Sequence, residues 1–304
     1  MTATPDTAPS GDTAEGFAYA LGAYVLWGFL PLYMHALANV PVAEVIAHRV
    51  IWSVPVALLV LLWRRRTGAL ASALRNPRWL AMAALTSVLL SANWGIYVWA
   101  VGSGHTVDAA LGYYINPLFS VLLGALLLGE RLDRLQMLAV GLAAAAVAVL
   151  TWEAGRVPFV ALGLTVTWGF YAYLKRRLPI GPNQGFTLEV LLLSPLALFW
   201  VFRLALTGES HFLTGSLRDT LLLAGCGFVT AIPLMLYANG AKGLRLSTIG
   251  ILQYTAPSLI LVSAVFLLGE EFGSAEKLAF PMIWAALGLY SFAFLRQNRQ
   301  RAAS

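Results

Sequence analysis

Charge is what this chain has least of. Asp, Glu, Lys and Arg make up 11% of its 304 residues, against roughly 25% in an ordinary soluble domain. Hydrophobic residues reach 59%, so a soluble fold would expose wide apolar patches; a lipid surround removes that conflict. Cysteine is nearly absent. Cys226 stands alone, which excludes an intrachain disulfide and a cysteine metal cluster. The HExxH, Walker A and G-x-S-x-G patterns are missing, so metalloprotease, nucleotide-driven and serine-hydrolase chemistry lack their usual signatures. Ser103, His105 and Asp108 sit in one short loop, where side chains cannot align as nucleophile, base and orienter. No enzyme activity, metal or cofactor is expected.

What the chain does have is apolar stretches, at about 16–37, 42–63, 79–101, 107–128, 136–152, 157–174, 184–206, 217–238, 247–268 and 277–295. Most approach the ~20 residues needed to cross a hydrocarbon core. The expected fold is all-α, a polytopic membrane protein with ten transmembrane helices. Residues 1–15 are rich in Pro, Thr and Ala without Lys or Arg, and read as a disordered cytoplasmic tail. They lack the basic start of a secretory signal, so the first span is expected to stay. Residues 296–304 form a basic cytoplasmic tail. The net charge of +6 does not point to nucleic acid, because the basic residues lie in short loops rather than on one soluble face.

Lys and Arg set the orientation. With a cytoplasmic N-terminus, the inner segments hold Arg64, Arg65, Arg66, Arg75, Arg78, Arg131, Arg134, Lys175, Arg176, Arg177, Lys242, Arg245, Arg296, Arg299 and Arg301. The outer side keeps only Arg156, Arg203, Arg218 and Lys277. Both termini are therefore expected inside.

The chain also repeats itself. Trp27-Gly28-Phe29 recurs as Trp168-Gly169-Phe170, Tyr114 and Pro117 as Tyr254 and Pro257, and Leu127-Leu128-Gly129-Glu130 as Leu267-Leu268-Gly269-Glu270, each about 140 residues later. The halves are 16–152 and 157–295. Each holds five spans, and an odd number turns the second half upside down, as in transporters built from inverted repeats.

The strings VPVAEVIAHRVIWS (40–53), NWGIYVWAV (93–101), ALGYYINPL (110–118) and LRLSTIGILQYTAP (244–257), with the two LLGE strings, resemble the EamA-type permeases of the drug/metabolite transporter superfamily, most closely the RarD branch. The resemblance covers nearly everything after the first tail. It implies an inner-membrane carrier of two EamA repeats, with a central cavity lined mostly by the first, third, fourth, sixth, eighth and ninth spans.

Ionisable groups inside a bilayer are costly and need partners or a wet cavity. Glu44, His48 and Arg49 lie in the second span. Glu44 and His48 share a helix face, while Arg49 is turned about 100° away from His48. One reading is a Glu44–His48 proton site with Arg49 attracting a substrate carboxylate. The other is structural, with Glu44 held by the helix dipole and Arg49 by neighbouring carbonyls. Glu189, at the repeat position of Arg49, is either an inner gate or coupling group, or a carboxylate in the first turns of its helix, favoured by the dipole. Uncharged candidates for substrate contact are Trp27, Asn93, Tyr97, Tyr114, Asn116, Trp168, Tyr237, Gln253 and Tyr254, with Pro117 and Pro257 as helix breaks or gating points. The alternative for each is interhelical packing. Glu130 and Glu270 read as structural corners.

The sequence thus points to a secondary transporter of small amino-acid-like or drug-like amphipathic compounds. Its expected partners are the substrate, membrane lipids and protons as coupling ion, and a monomer holds both repeats. The alternative is a membrane sensor or lipid-binding scaffold.

Overall fold

Proline and glycine set the helix boundaries. The computed structural model describes residues 13–63, 67–128, 132, 134–155, 157–214, 216–240, 243–244, 248–249 and 252–303, and every regular element among them is helical. Helix α1 (Ala14–Gly28) opens on Thr13, whose side chain accepts from the Gly16 N–H. It stops at Phe29, because Pro31 in the first turn of α2 (Leu30–His35) has no N–H to continue the ladder. The helix is therefore interrupted at Phe29, while Ala14–His35 remains one apolar stretch, as the first span was expected to be.

Helices α3 (Val42–Trp63), α4 (Gly68–Leu74), α5 (Pro77–Gly102), α6 (Thr106–Leu128) and α7 (Arg134–Ala154) follow. Then come α8 (Phe159–Arg177), α9 (Pro182–Thr207), α10 (Leu217–Gly240), α11 (Thr255–Val262) and α12 (Ser274–Ala303). A π-helical turn over Ser263–Leu267 extends α11. Both α5 and α9 begin with proline, where the missing N–H would have had no partner anyway.

Among the described residues, seven helical segments are long and apolar enough to cross a membrane: Ala14–His35, Val42–Trp63, Pro77–Gly102, Thr106–Leu127, Arg134–Glu153, Asn183–Thr207 and Leu217–Tyr237. The protein is a polytopic all-α membrane protein. The segments expected as sixth, ninth and tenth spans are α8, α11 with its π-helical turn, and α12.

Two helix-break expectations need correction. Helix α6 runs continuously through Pro117. The loss there is one hydrogen bond, that of the Tyr113 carbonyl, and not the helix. Pro257 lies in the first turn of α11, where proline is harmless. The break comes just before it, at a turn over Gln253 and Tyr254.

Helix contacts come in matched sets. Helix α3 packs on α9, and α7 on α12. The contact of α6 with α8 is answered by α1 with α11, that of α5 with α8 by α1 with α10, and that of α3 with α10 by α5 with α9. Small residues permit the closest approaches. A β-carbon on Gly227 in α10 would lie 2.1 Å from the Trp52 carbonyl oxygen in α3, and one on Gly112 in α6 would lie 2.8 Å from the Ala161 carbonyl in α8.

Candidate functional site

Where these helices cross they leave a cavity of about 160 Å³, room for on the order of ten waters. Helices α1 and α2 supply Tyr24, Trp27 and Leu30, and α3 supplies Arg49. Helix α5 contributes Leu90, Asn93, Trp94 and Tyr97, α6 contributes Tyr113 and Asn116, and α8 contributes Trp168. Thr230, Leu234 and Tyr237 come from α10, and Gln253, Ala256, Pro257 and Ile260 close the wall. These are the spans the resemblance implied, with the second added through Arg49.

The wall repeats itself. Leu90 and Thr230, Trp94 and Leu234, Tyr97 and Tyr237, Tyr113 and Gln253, and Asn116 and Ala256 each stand about 140 residues apart. Trp27 and Trp168 differ from that spacing by one residue. Aromatic rings dominate one side, where Tyr24, Trp27 and Tyr237 meet pairwise at 5.7–5.8 Å between ring centroids.

Of the residues singled out from sequence, Trp27, Asn93, Tyr97, Asn116, Trp168, Tyr237 and Gln253 line the cavity, as do Arg49 and Pro257. Asn93 also ties α5 to α8, donating to the Leu164 carbonyl at 3.1 Å and the Thr167 hydroxyl at 2.9 Å. Tyr114 and Tyr254 lie elsewhere. Their rings stack at 6.5 Å, the Tyr114 hydroxyl is 2.6 Å from that of Ser258, and both line a shallower groove with Trp284 and Gly288. One helical step separates Tyr114 from Tyr113, and that rotation of about 100° takes it out of the cavity. Pro117 is likewise outside the lining. Tyr24 and Thr230 had not been singled out; the repeat spacing from Leu90 marks Thr230.

Arg49 is 3% exposed. Its Nε donates to the Thr230 hydroxyl at 3.1 Å, and its guanidinium lies 4.5 Å above the Trp94 ring. No carboxylate among the described residues pairs with it. Its Nη1 has no hydrogen-bond partner, and neither do the Tyr97 hydroxyl and the Asn116 Oδ1.

The two carboxylates lie outside this cavity. Glu44, in the first turn of α3, is fully buried. It accepts from the Ser210 hydroxyl at 3.1 Å and the His211 N–H at 2.8 Å, and its second oxygen is 2.8 Å from His211 Nδ1. The expected Glu44–His48 pair is not formed. His48 turns to Trp52, whose indole N–H reaches His48 Nδ1 at 3.1 Å, and packs on Phe212. A loop histidine distant in sequence has taken the carboxylate, a contact that helical spacing could not reveal.

Glu189 sits in the third turn of α9, beyond the first turn where a helix dipole favours a carboxylate. Lys175 Nζ lies 2.6 Å from one of its oxygens, and Tyr171 donates to the same oxygen at 3.3 Å. Thr86 donates to the other at 2.7 Å. The group joins α5, α8 and α9. Glu270 accepts from the Thr106 and Val107 N–H groups at 2.9 and 3.0 Å and so caps α6, a structural corner. Glu130 lies outside the described residues.

A bundle of apolar helices around a central hollow, walled among the described residues by rings, aliphatic and uncharged polar groups and one buried cation, defines a polytopic membrane protein with an internal cavity. Residues 14–152 match the EamA-like transporter family. An uncharacterized transporter of Pseudomonas aeruginosa is 41% identical over 286 residues, 94% of this chain and 96% of that one. Protein RarD of Escherichia coli is 37% identical over 278 residues, 91% of this chain and 94% of its own. A solved crystal structure, 23% identical, superposes with a TM-score of 0.58 over 90% of this chain and 97% of that one, and shares the fold. The chain belongs to the EamA family of membrane transporters, as a RarD-type member, and is a multi-pass bacterial membrane protein.

Proposed function

We propose that the protein is an inner-membrane secondary carrier of small amphipathic metabolites, with both termini cytoplasmic. In this reading residues 16–152 and 157–295 are five-helix halves facing opposite ways. They rock about the central cavity and open it to each side of the membrane in turn. The observation that carries the reading is the cavity wall, where residues from corresponding positions of the two halves stand together. The matched helix contacts support it, since a two-fold relation between halves generates contacts in exchanged sets. A polar lining is costly inside a membrane, and a lipid-binding scaffold would have no use for it. With no nucleotide-binding motif in the sequence, transport would draw on a gradient or on exchange.

Protons are the proposed coupling ion. Within this reading Glu44 with His211 is the better-placed pair, because the two are in contact and His48 is turned away. The test is purified protein in liposomes, offered a metabolite library with and without a proton gradient. Uptake or exchange of at least one compound above protein-free vesicles is expected; none across the library would sink the carrier reading. Substrate-driven proton flux should survive His48→Ala and fail in Glu44→Gln. Flux unchanged in Glu44→Gln would remove the pair from coupling.

A further inference from the structure

A bare cation inside a membrane protein needs a reason. Arg49 is buried, lines the cavity and has an Nη1 without a partner. The Thr230 hydroxyl and the Trp94 face satisfy part of the guanidinium, but neither brings a negative charge. Among the described residues the cavity wall contains no Asp or Glu. Glu189, the one acidic residue at the position corresponding to Arg49, is held away by Lys175, Thr86 and Tyr171. Among the described lining residues the cavity therefore carries one positive charge without a counter-charge, which attracts an anion and repels a second cation. The hydroxyl of Tyr97, another lining residue, is likewise buried without a partner and is a donor. The rest of the wall is rings, aliphatic side chains and the amides of Asn93, Asn116 and Gln253, and the rings of Trp27, Trp168 and Tyr237 offer apolar surface to a ligand body.

From this we infer that the cavity selects small monocarboxylates with a flat apolar body, with Arg49 as the group that binds the carboxylate. The inference rests on the carrier reading for its biological use but not for its test. A carboxylate hydrogen-bonded to a guanidinium is a charge-assisted contact. Its loss weakens binding by roughly tenfold to a hundredfold.

The experiment is calorimetry on the full chain in lipid nanodiscs with three compounds sharing one ring: 3-phenylpropanoate, 3-phenylpropanol and 2-phenylethylamine. The expected order is anion, then alcohol, with the amine weakest. Arg49→Met should abolish the preference for the anion and leave the alcohol nearly unchanged. Equal or tighter binding of the amine overturns the inference, as does an anion preference that persists in Arg49→Met. Binding of none of the three also overturns it. If Arg49→Met fails to fold, the order of the three ligands on the native chain decides alone. Counterflow of the bound compound in liposomes separates the two readings. Anion-selective binding without counterflow supports the site and rejects the carrier, whereas counterflow of anion and amine alike supports the carrier and rejects the charge selection.

Discussion

Arg49 and Glu189 stand about 140 residues apart, in helices α3 and α9 that pack together, yet only Arg49 reaches the cavity. Glu189 has a full set of partners. Arg49 has a hydroxyl, a ring face and an unused nitrogen. Positions that correspond in the internal repeat have thus been put to different uses. One is a finished ion pair that fastens three helices, the other a buried charge of the cavity wall with no carboxylate partner among the described residues.

The Lys175–Glu189 pair makes a sharp prediction about stability. Glu189 is fully buried, so removing only its cation leaves a carboxylate with two hydroxyl donors and no counter-charge. Breaking a buried pair from one side costs about 3–5 kcal/mol. Lys175→Met should therefore lower the thermal unfolding temperature markedly. The double variant Lys175→Met/Glu189→Gln should recover most of the loss, because no buried charge remains. Thermal denaturation in one detergent, compared across the three proteins, checks this; a double variant no better than the single one would show that the pair does not act as a unit.

Close helix approach predicts a different pattern. Gly227 meets the Trp52 backbone at a distance no β-carbon tolerates, while Gly141 has nothing within 4 Å of the place a β-carbon would take. Gly227→Ala should force α3 and α10 apart and cost about 1–3 kcal/mol. Gly141→Ala, in the middle of α7, should be neutral or stabilise by up to about 1 kcal/mol through helix propensity. A fall in unfolding temperature for Gly227→Ala and none for Gly141→Ala is the expected result.

Much of this architecture was legible in the sequence because lipid imposes simple rules. Apolar length gives the polytopic all-α class and the seven spans found among the described residues, and the recurrence of Trp, Tyr, Pro and Glu is read directly in the sequence. The repeat in turn marks most of the cavity wall, as with Tyr97 and Tyr237. What escaped is what depends on rotation or on chain crossing. Tyr113 and Tyr114 are equally polar and aromatic, and nothing in their order says that the first lines the cavity and the second lines a different groove. The partners of the two carboxylates, His211 and Lys175, come from a loop and from a neighbouring helix end. The sequence spacing to Glu44 and Glu189 does not encode those meetings. The break ahead of α2 escaped because Pro31 lies in a run that is apolar throughout.

The proposed orientation can be tested with the protein's own chemistry. Cys226 is the sole cysteine and is fully buried, so it should react slowly with a membrane-impermeant maleimide in the folded protein. In a Cys226→Ser background, a cysteine replacing the exposed Glu209, in the loop after α9, should label from outside intact cells. A cysteine replacing Arg75, between α4 and α5, should label only after permeabilisation. The reverse pattern would place both termini outside and overturn the reading of the Lys and Arg distribution.

The open charge of Arg49 predicts a trade between stability and binding. In the ligand-free protein it is a buried cation with no carboxylate partner among the described residues, and replacing it by an apolar side chain of similar size removes the cost of burying the charge. Arg49→Met also removes the cation–π contact with Trp94, worth about 0.5–2 kcal/mol, and leaves the Thr230 hydroxyl without its donor. The net effect of the single variant should therefore be a small rise in unfolding temperature, and Arg49→Met/Thr230→Val should rise further because no polar orphan remains. Had Arg49 been placed for structure, the single variant would fall by several degrees. Unfolding curves of the native chain and both variants, measured without ligand in the same detergent, discriminate between the two origins. A drop in the single variant that Thr230→Val does not repair would show that the guanidinium holds the bundle together.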